Sequence, residues 1–168
     1  MSERGKKIFL AICIITPFLL YTVYYYSIMV KNAPYRFSDF VSISFKYGYG
    51  DSLINQYDSK TGDFQYVNKD DSLIKTKVKM RKDDLLYLHR KAAELGFWNF
   101  PDELKGDIKT SEGRKSLTYY IEFNYKDKSK RVLYEISYEK EPKLADAAKS
   151  LITEISKMIS DVRDRNED

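Results

Sequence analysis

The longest apolar run in the chain lies close to its N-terminus. Residues 8–30 carry no charged side chain, and the preceding residues 1–7 form a basic tip with Arg4, Lys6 and Lys7. A helix of about 20 apolar residues crosses a hydrocarbon core of roughly 30 Å. The pattern therefore predicts one transmembrane anchor over residues 8–30, followed by a linker over residues 31–39.

Two other N-terminal signals share part of this pattern. A cleaved signal peptide has an apolar region of roughly 7–15 residues and small residues before its cleavage site. This run is longer, and cleavage after Ala33 would place Lys31 where a small residue is required. A lipoprotein signal would use Cys13, but the bulky Ile12 precedes it. The pattern favours a retained anchor over both alternatives.

The distribution of basic residues around the anchor predicts its orientation. Positive residues near a membrane span favour the cytoplasmic side. The tip and the amino terminus concentrate positive charge before the anchor, whereas Lys31, Arg36 and Lys46 are more widely spaced after it. We expect the N-terminus in the cytoplasm and the C-terminal domain outside it, as for a protein of a bacterial inner membrane.

Residues 40–162 predict a soluble domain that begins with strands. Val41, Ile43, Phe45 and Tyr47 alternate with polar residues, which is the pattern of a strand with one buried face. Similar alternation or turn-bounded apolar runs predict three more strands. The four predicted strands cover residues 40–47, 53–57, 64–68 and 74–81.

The apolar period then changes to that of a helix. Apolar residues recur at intervals of three and four over residues 82–95, and Gly96 provides a stop signal. The aromatic segment 97–100 follows at once, and we expect it to fold back onto the core. Residues 102–115 are polar and contain glycine, which predicts a long mobile loop.

Two more strands and a final helix complete the predicted fold. The strands cover residues 117–125 and 131–138, and Pro142 opens a helix whose apolar stripe extends to Val162. We expect the polar tail 163–168 to fray. Short turns between strands imply antiparallel pairing. The predicted fold is α+β, with an antiparallel sheet in the order ββββ-α-ββ-α and two helices packed on one face.

The charge balance of the domain is nearly neutral. Three of the 29 basic residues and one of the 25 acidic residues precede residue 31, which leaves a net charge of about +2 after the anchor. We therefore expect no nucleic-acid partner. The single cysteine, Cys13, lies within the anchor, so the sequence predicts no intrachain disulfide.

Few residues suggest catalysis. His89 is the only histidine, which excludes a metal site built from several His or Cys ligands, and we expect it at the boundary of the first domain helix. Acidic pairs could serve an enzyme that uses carboxylates alone, but turns, a helix start and a loop explain them more simply. We expect no enzyme, cofactor or metal. The pairs are Asp70/Asp71, Asp83/Asp84 and Asp102/Glu103.

Aromatic and basic residues supply the candidate binding surfaces. Aromatic residues near the Gly96 stop and on the last two strands form the predicted partner-binding set, although strand alternation requires part of this set to be core. A cationic strand is the candidate for contact with lipid headgroups, with a simply solvated face as its alternative; each cation near a membrane contributes about 1 kcal/mol. The aromatic set is Phe97, Trp98, Phe100, Tyr119, Phe123, Tyr125, Tyr134 and Tyr138, and the cationic set is Lys75, Lys77, Lys79 and Arg81.

The whole architecture resembles the extracytoplasmic domains of bacterial membrane-anchored proteins and lipoproteins. The shared features are the apolar anchor, the strands, a helix that ends at a Gly-aromatic segment, a hairpin and a terminal helix. No specific motif carries the resemblance, so it implies no functional residue. We expect a non-enzymatic interaction module that binds a protein or an envelope component. The alternative is a small-ligand or lipid-binding domain with an apolar cavity.

Overall fold

The chain forms two compact units in a computed structural model that describes residues 3–32, 35–106 and 116–167. The first unit ends at Arg36 and the second begins at Phe37. The second unit opens with a short 3-10 turn, Phe37–Asp39, before the first strand.

The first unit is built on one helix, α1 (Glu3–Asn32), which continues through Pro17. Its segment Arg4–Ile28 is long and apolar enough to cross a membrane, a property that signal sequences share. The hydroxyl of Thr22 donates to the carbonyl oxygen of Phe18 at 2.8 Å, so this polar group is satisfied within the helix. The prediction of an N-terminal helix of spanning length is confirmed.

The described residues of the second unit form one sheet of seven strands, in the order β4-β3-β2-β1-β6-β7-β5. All neighbouring strands are antiparallel except β5 and β7, which are parallel, so the sheet is mixed. The α+β fold class is confirmed. The strands are β1 (Phe40–Tyr49), β2 (Ser52–Asp58), β3 (Asp63–Val67), β4 (Leu73–Lys77), β5 (Glu103–Leu104), β6 (Leu117–Tyr125) and β7 (Ser129–Glu135).

Strand β5 is the element that the sequence pattern missed. It lies in the segment 102–115 that was predicted to be a loop, and residues 107–115 of that segment lie outside the described residues. Leu104 is buried beside Tyr134 of β7, and the backbone nitrogen of Leu133 donates to the carbonyl oxygen of Asp102 at 2.8 Å. Two residues are too few to show a strand period, so pairing with β7 defines this element.

One side of the sheet, which we call the inner face, carries the core. Ile43 and Phe45 of β1 lie opposite Phe123 and Ile121 of β6, and Phe45 also lies opposite Tyr57 of β2. All five side chains are buried. The alternation that predicted these strands is therefore that of a sheet with one buried face.

Val41 departs from the predicted alternation. The register between β1 and β6 shifts between Phe40 and Ser42, as it does at a β-bulge. Because of this shift Phe40 contacts the ring of Phe123, whereas Val41 remains 42% exposed. The prediction that Val41 faces the core is wrong. The extra residue at the register shift turns the first side chains of β1 to the opposite sides of the sheet.

Two helices, α2 (Lys82–Glu94) and α3 (Pro142–Glu167), pack on the inner face. Gly96 follows α2 with a positive φ of 75°, as expected for the predicted stop. The ring of His89 on α2 contacts Tyr125 of β6. Burial raises the pKa of Tyr134 on β7, and the nearby carboxylate of Asp146 on α3 adds to this increase. The predicted stripe of α3 runs from Leu144, which is half-buried, through six residues that are buried: Ala148, Leu151, Ile152, Ile155, Ile159 and Val162.

Helix α3 does not end at Val162, where the sequence predicted its last turn. A guanidinium nitrogen of Arg165 lies 2.7 Å from the Oδ2 atom of Asp84, which also accepts a hydrogen bond from the backbone nitrogen of Arg81 at 2.8 Å. This carboxylate joins the start of α2 to the end of α3. The helix continues to Glu167 because its last turns are held by the neighbouring helix.

His89 is part of the core rather than of its boundary. The side chain is 8% exposed, and its ring centroid lies 5.4 to 6.0 Å from those of Phe37, Phe40, Trp98 and Tyr125. The prediction of a boundary position is wrong, because the 3-10 turn before β1 and the aromatic segment after α2 close over this side of the helix.

Candidate binding surface on the open face of the sheet

The predicted aromatic surface is largely core. Seven of its eight members are buried, so these seven side chains do not form an exposed surface. The ring of Phe123 lies 5.2 Å from the rings of both Phe97 and Trp98, so strand and post-helix aromatics pack against one another. The buried members are Phe97, Trp98, Phe100, Phe123, Tyr125, Tyr134 and Tyr138.

Tyr119 is the half-buried member of that set. Its ring lies 5.8 Å from the ring of Tyr47 on β1 and 6.5 Å from that of Tyr134 on β7. Burial raises the pKa of both Tyr47 and Tyr119, and the neighbouring tyrosines add to the increase. The three rings form a row across the inner face that continues the core toward one end of the sheet.

The cationic strand lies at an outer edge of the sheet. Lys75, Lys77, Lys79 and Arg81 are all exposed, but β4 ends at Lys77. The strand predicted over 74–81 is too long, because buried Val78 leads the chain away toward α2. Contact of these cations with lipid headgroups stays a prediction.

Lys77 is neutralised within the domain. Its ammonium group lies 2.6 Å from the Oδ1 atom of Asp63 on β3. The hydrogen bond from Lys77 holds the pKa of the Asp63 carboxyl below its ordinary value, and the hydroxyl of Thr61 adds to this effect. This lysine therefore offers less free charge to a membrane than the sequence suggests.

The side of the sheet opposite the helices, which we call the open face, carries the alternate positions of the same strands. These positions are mainly polar on β1, β2 and β3, where Ile54 and Val67 are the apolar exceptions, and are mixed polar, aromatic and aliphatic on β6 and β7. Its central members are Ser44, Lys46, Gln56, Gln65, Tyr120, Glu122, Arg131 and Leu133.

Two grooves lie on the open face. The first has a volume of about 370 Å³ and crosses β1, β2 and β3. The second has a volume of about 290 Å³ and crosses β6, β7 and the short strand β5. The first is lined by Ser44, Lys46, Gln56, Tyr57, Asp58, Thr61, Asp63 and Gln65, and the second by Asp102, Glu103, Tyr120, Arg131 and Leu133.

A cross-strand pair joins the two grooves. Lys46 of the first groove lies directly opposite Tyr120 of the second in the β1–β6 register. The ammonium nitrogen of Lys46 is 5.8 Å from the centroid of the Tyr120 ring, a distance at which a cation is attracted to the ring face. The grooves therefore form one continuous surface across the middle of the sheet.

Tyr120 is held in place by its neighbour Glu122. The Tyr120 hydroxyl donates to the Oε2 atom of Glu122 at 2.9 Å. Burial and the hydrogen bond to Glu122 together raise the pKa of Tyr120 to about 12, although nearby Arg131 opposes the increase. The ring is thus a fixed and neutral feature of the surface at physiological pH.

The carboxylates beside the second groove are already paired. Asp102 lies 2.8 Å from the ammonium group of Lys130, which holds the pKa of this carboxyl below its ordinary value. Glu103 lies 2.9 Å from the ammonium group of Lys105. Asp102 and Glu103 are one of the acidic pairs noted in the sequence, and both line this groove. Throughout residues 3–32, 35–106 and 116–167, no three His, Cys, Asp or Glu side chains are grouped to hold a metal ion.

Comparison with known proteins does not identify a function for this chain. No protein-family model matches the chain, and no curated protein is significantly similar to it.

The sequence pattern contained the open face without marking it. Lys46, Tyr120 and Arg131 occupy the positions between the apolar residues that predict the strands, where alternation alone expects solvated side chains. The available signal was Tyr120, an aromatic residue at a position where alternation expects a polar one. The pairing of β1 with β6, which connects distant parts of the sequence, is needed to bring the residues together.

Proposed function

We propose that this protein is a single-pass membrane-anchored module that binds a protein or envelope component through the open face. The observation that carries the proposal is the continuous pair of grooves on the side of the sheet opposite the helices. Residues buried on the inner face stabilise the domain. Residues on the open face are available to a partner.

The composition of the open face suits a reversible protein contact. Non-obligate interfaces are about as apolar as the rest of a protein surface, and tyrosine and arginine are enriched among the residues that dominate binding. Tyr120 and Arg131 line the second groove together with Leu133. Gln56 and Gln65 add amide groups in the first groove. These side chains supply donors, acceptors and apolar area within one surface.

The first unit supports the membrane part of the proposal. Helix α1 has the length and composition of a membrane span. Arg4, Lys6 and Lys7 precede the apolar segment, and positive residues of this kind favour the cytoplasmic side. The open face would then be presented outside the cytoplasm.

Photo-crosslinking tests the binding surface. A photoreactive residue is placed at Gln56 or at Leu133 on the open face, and at exposed Lys149 on α3 as the matched control. We expect illumination of native membranes to yield one discrete crosslinked species from the two open-face positions and none from the control. Equal crosslinking from Lys149, or no crosslinked protein from any position, contradicts the proposal. Bound small molecules found by native mass spectrometry would instead support the ligand-binding alternative.

Cysteine labelling tests the orientation. The exposed residue Ser150 on α3 is replaced by cysteine, and spheroplasts are treated with a membrane-impermeant maleimide. We expect Ser150→Cys to react before lysis, whereas the parent chain, whose single cysteine Cys13 lies in the apolar segment, does not. Labelling of Ser150→Cys only after lysis would place the domain in the cytoplasm.

A further inference from the structure

The second groove is lined by Arg131, a cation whose charge acts on Asp102 without forming an ion pair. Asp102 and Glu103 are paired with Lys130 and Lys105, at 2.8 Å and 2.9 Å. Glu122 lies opposite Arg131 in the β6–β7 register, but its carboxylate accepts the Tyr120 hydroxyl. Within the part of the chain that the structure describes, exposed Arg131 forms no ion pair.

A second such cation lies on the other side of the Tyr120 ring. Lys46 approaches that ring from β1 and, among the described residues, likewise forms no ion pair. Strands β1 and β7 both flank β6, so their backbones are about 10 Å apart, at roughly 4.8 Å per strand. Long side chains from the two strands can therefore reach one ligand above Tyr120.

The chemistry of this group matches a carboxylate. A guanidinium presents parallel N–H donors that bind both oxygens of a carboxylate, and an ammonium group adds a second charge without fixed geometry. The Tyr120 ring and the Leu133 side chain supply apolar area beside these cations. A ligand with one negative charge next to an apolar residue would match both features.

The local charge balance favours a single carboxylate over a phosphate polymer. The cations Lys46, Lys105, Lys130 and Arg131 are equal in number to the carboxylates around the groove, so this region has no net positive charge. A polymer with many phosphates is usually held by an excess of positive charge. The carboxylates around the groove are Asp102, Glu103, Glu122 and Glu135, the last of which acts on Lys105.

We propose that Arg131 and Lys46 bind a carboxylate from an acidic segment of a protein partner, with an adjacent apolar residue of that segment lying against Tyr120 and Leu133. This inference rests on the proposed function, in the form in which the partner is a protein. It assigns the second groove and its boundary with the first as the part of the open face that selects the partner.

Peptide selection tests the assignment without a known partner. A phage-displayed library of random heptapeptides is selected against the full-length protein in nanodiscs of uncharged phosphatidylcholine, and against Arg131→Gln. The matched control is Arg90→Gln, an exposed arginine on α2 and thus on the other side of the sheet. We expect enrichment of Asp or Glu at one position beside an apolar residue, with loss of this enrichment in Arg131→Gln and retention in Arg90→Gln.

The affinity of a selected peptide measures the contact directly. Hydrogen bonds to charged groups contribute about 1.5–3 kcal/mol, so Arg131→Gln should weaken binding roughly tenfold or more. Lys46→Gln should weaken it less, and Arg90→Gln should change it by less than about twofold. Replacing the acidic residue of the peptide by Gln should weaken binding as much as Arg131→Gln does. The two changes together should weaken binding little more than either change alone. Arg131→Lys keeps the positive charge but loses the pair of parallel N–H donors, so it should give an intermediate affinity.

Several outcomes would overturn the inference. Selected peptides without acidic enrichment, acidic enrichment that survives Arg131→Gln, or failure to select any peptide would each do so. Binding of polyphosphate but not of peptides, with loss in Arg131→Gln, would identify a phosphate ligand instead. Discrete open-face crosslinks combined with no acidic preference would leave the proposed function standing and overturn this inference alone. Thermal unfolding of each variant separates loss of binding from loss of folding.

Discussion

The two faces of the sheet use the same strands for different purposes. On β6, Phe123 and Tyr120 are three residues apart and point to opposite sides. Phe123 is fully buried among Phe40, Phe97 and Trp98, whereas Tyr120 lies between Lys46 and Arg131 on the open face. Large aromatic residues therefore do not by themselves indicate a binding surface. Their neighbours and their side of the sheet decide whether they stabilise the fold or contact a partner.

The largest expected effect comes from truncating one aromatic residue on each face. Phe123→Ala removes a ring that contacts Phe40, Phe97 and Trp98, and core Phe→Ala changes typically cost about 3–5 kcal/mol of unfolding free energy. Tyr120→Ala removes a half-exposed ring and should cost much less, about 1 kcal/mol. Urea unfolding of the full-length protein in micelles, followed by tryptophan fluorescence, measures both. Equal losses would show that the two faces contribute alike to stability.

Substitution of Gly48 tests whether the backbone on the open face leaves room for a larger side chain. Gly48 lies on that side of β1, and an added Cβ would collide with the backbone oxygen of Ser52. Because backbone atoms must move, Gly48→Ala should cost about 1–3 kcal/mol. The control is Gly96→Ala, where positive φ alone opposes the change and no atom lies within 4 Å; it should cost about 1 kcal/mol. A smaller loss at Gly48 than at Gly96 would contradict the collision.

The helix layer is tested through the carboxylate that joins its two helices. Asp84→Asn removes the charge that holds Arg165 and weakens the bond to the Arg81 backbone nitrogen. We expect a loss of about 1–2 kcal/mol in unfolding free energy. Neighbouring exposed Asp83, replaced by Asn, is the matched control and should cost less than about 1 kcal/mol. Hydrogen exchange should also increase in the last turn of α3 in Asp84→Asn alone.

The smallest effect concerns an exposed ion pair on the open face. The carboxyl of Asp63 has a pKa below its ordinary value of 3.8, chiefly because Lys77 donates to it. A lowered pKa means that the ionised carboxylate favours the folded state; this contribution is present above pH 3.8 and is lost as the pH falls through the folded-state value. In a carboxyl titration by NMR, Lys77→Gln should raise the Asp63 midpoint, and Lys75→Gln should leave it unchanged. An unchanged midpoint in Lys77→Gln would assign the shift to Thr61.

Much of the fold could be predicted because each long element has a clear period. The stripe of α3, the stop at Gly96 and the burial of Ile43 and Phe45 on β1 follow from local spacing. Elements defined by distant partners could not be predicted in this way. Strand β5 depends on β7, the exposure of Val41 depends on a register shift against β6, and the end of α3 depends on Asp84.

The candidate site was harder to predict than the fold. The aromatic set was selected by residue type, and most of it is core because aromatic side chains are also the largest apolar groups of this sheet. The open face instead depends on which polar positions become neighbours. Lys46 and Arg131 are distant in sequence. They lie close together beside Tyr120 because β6 is placed between β1 and β7 in the sheet.

The lysines of the outer strand have a consequence for self-assembly. The two edges of the sheet are unequal, since β5 has two residues whereas β4 exposes five along its free side. A free strand is a template on which another copy can add by backbone hydrogen bonding. If two β4 strands paired antiparallel about their centres, Lys75 of one copy would lie directly opposite Lys75 of the other. Like charges in that arrangement repel each other. The edge strand that is long enough to pair with a second copy therefore also carries a charge that opposes this pairing.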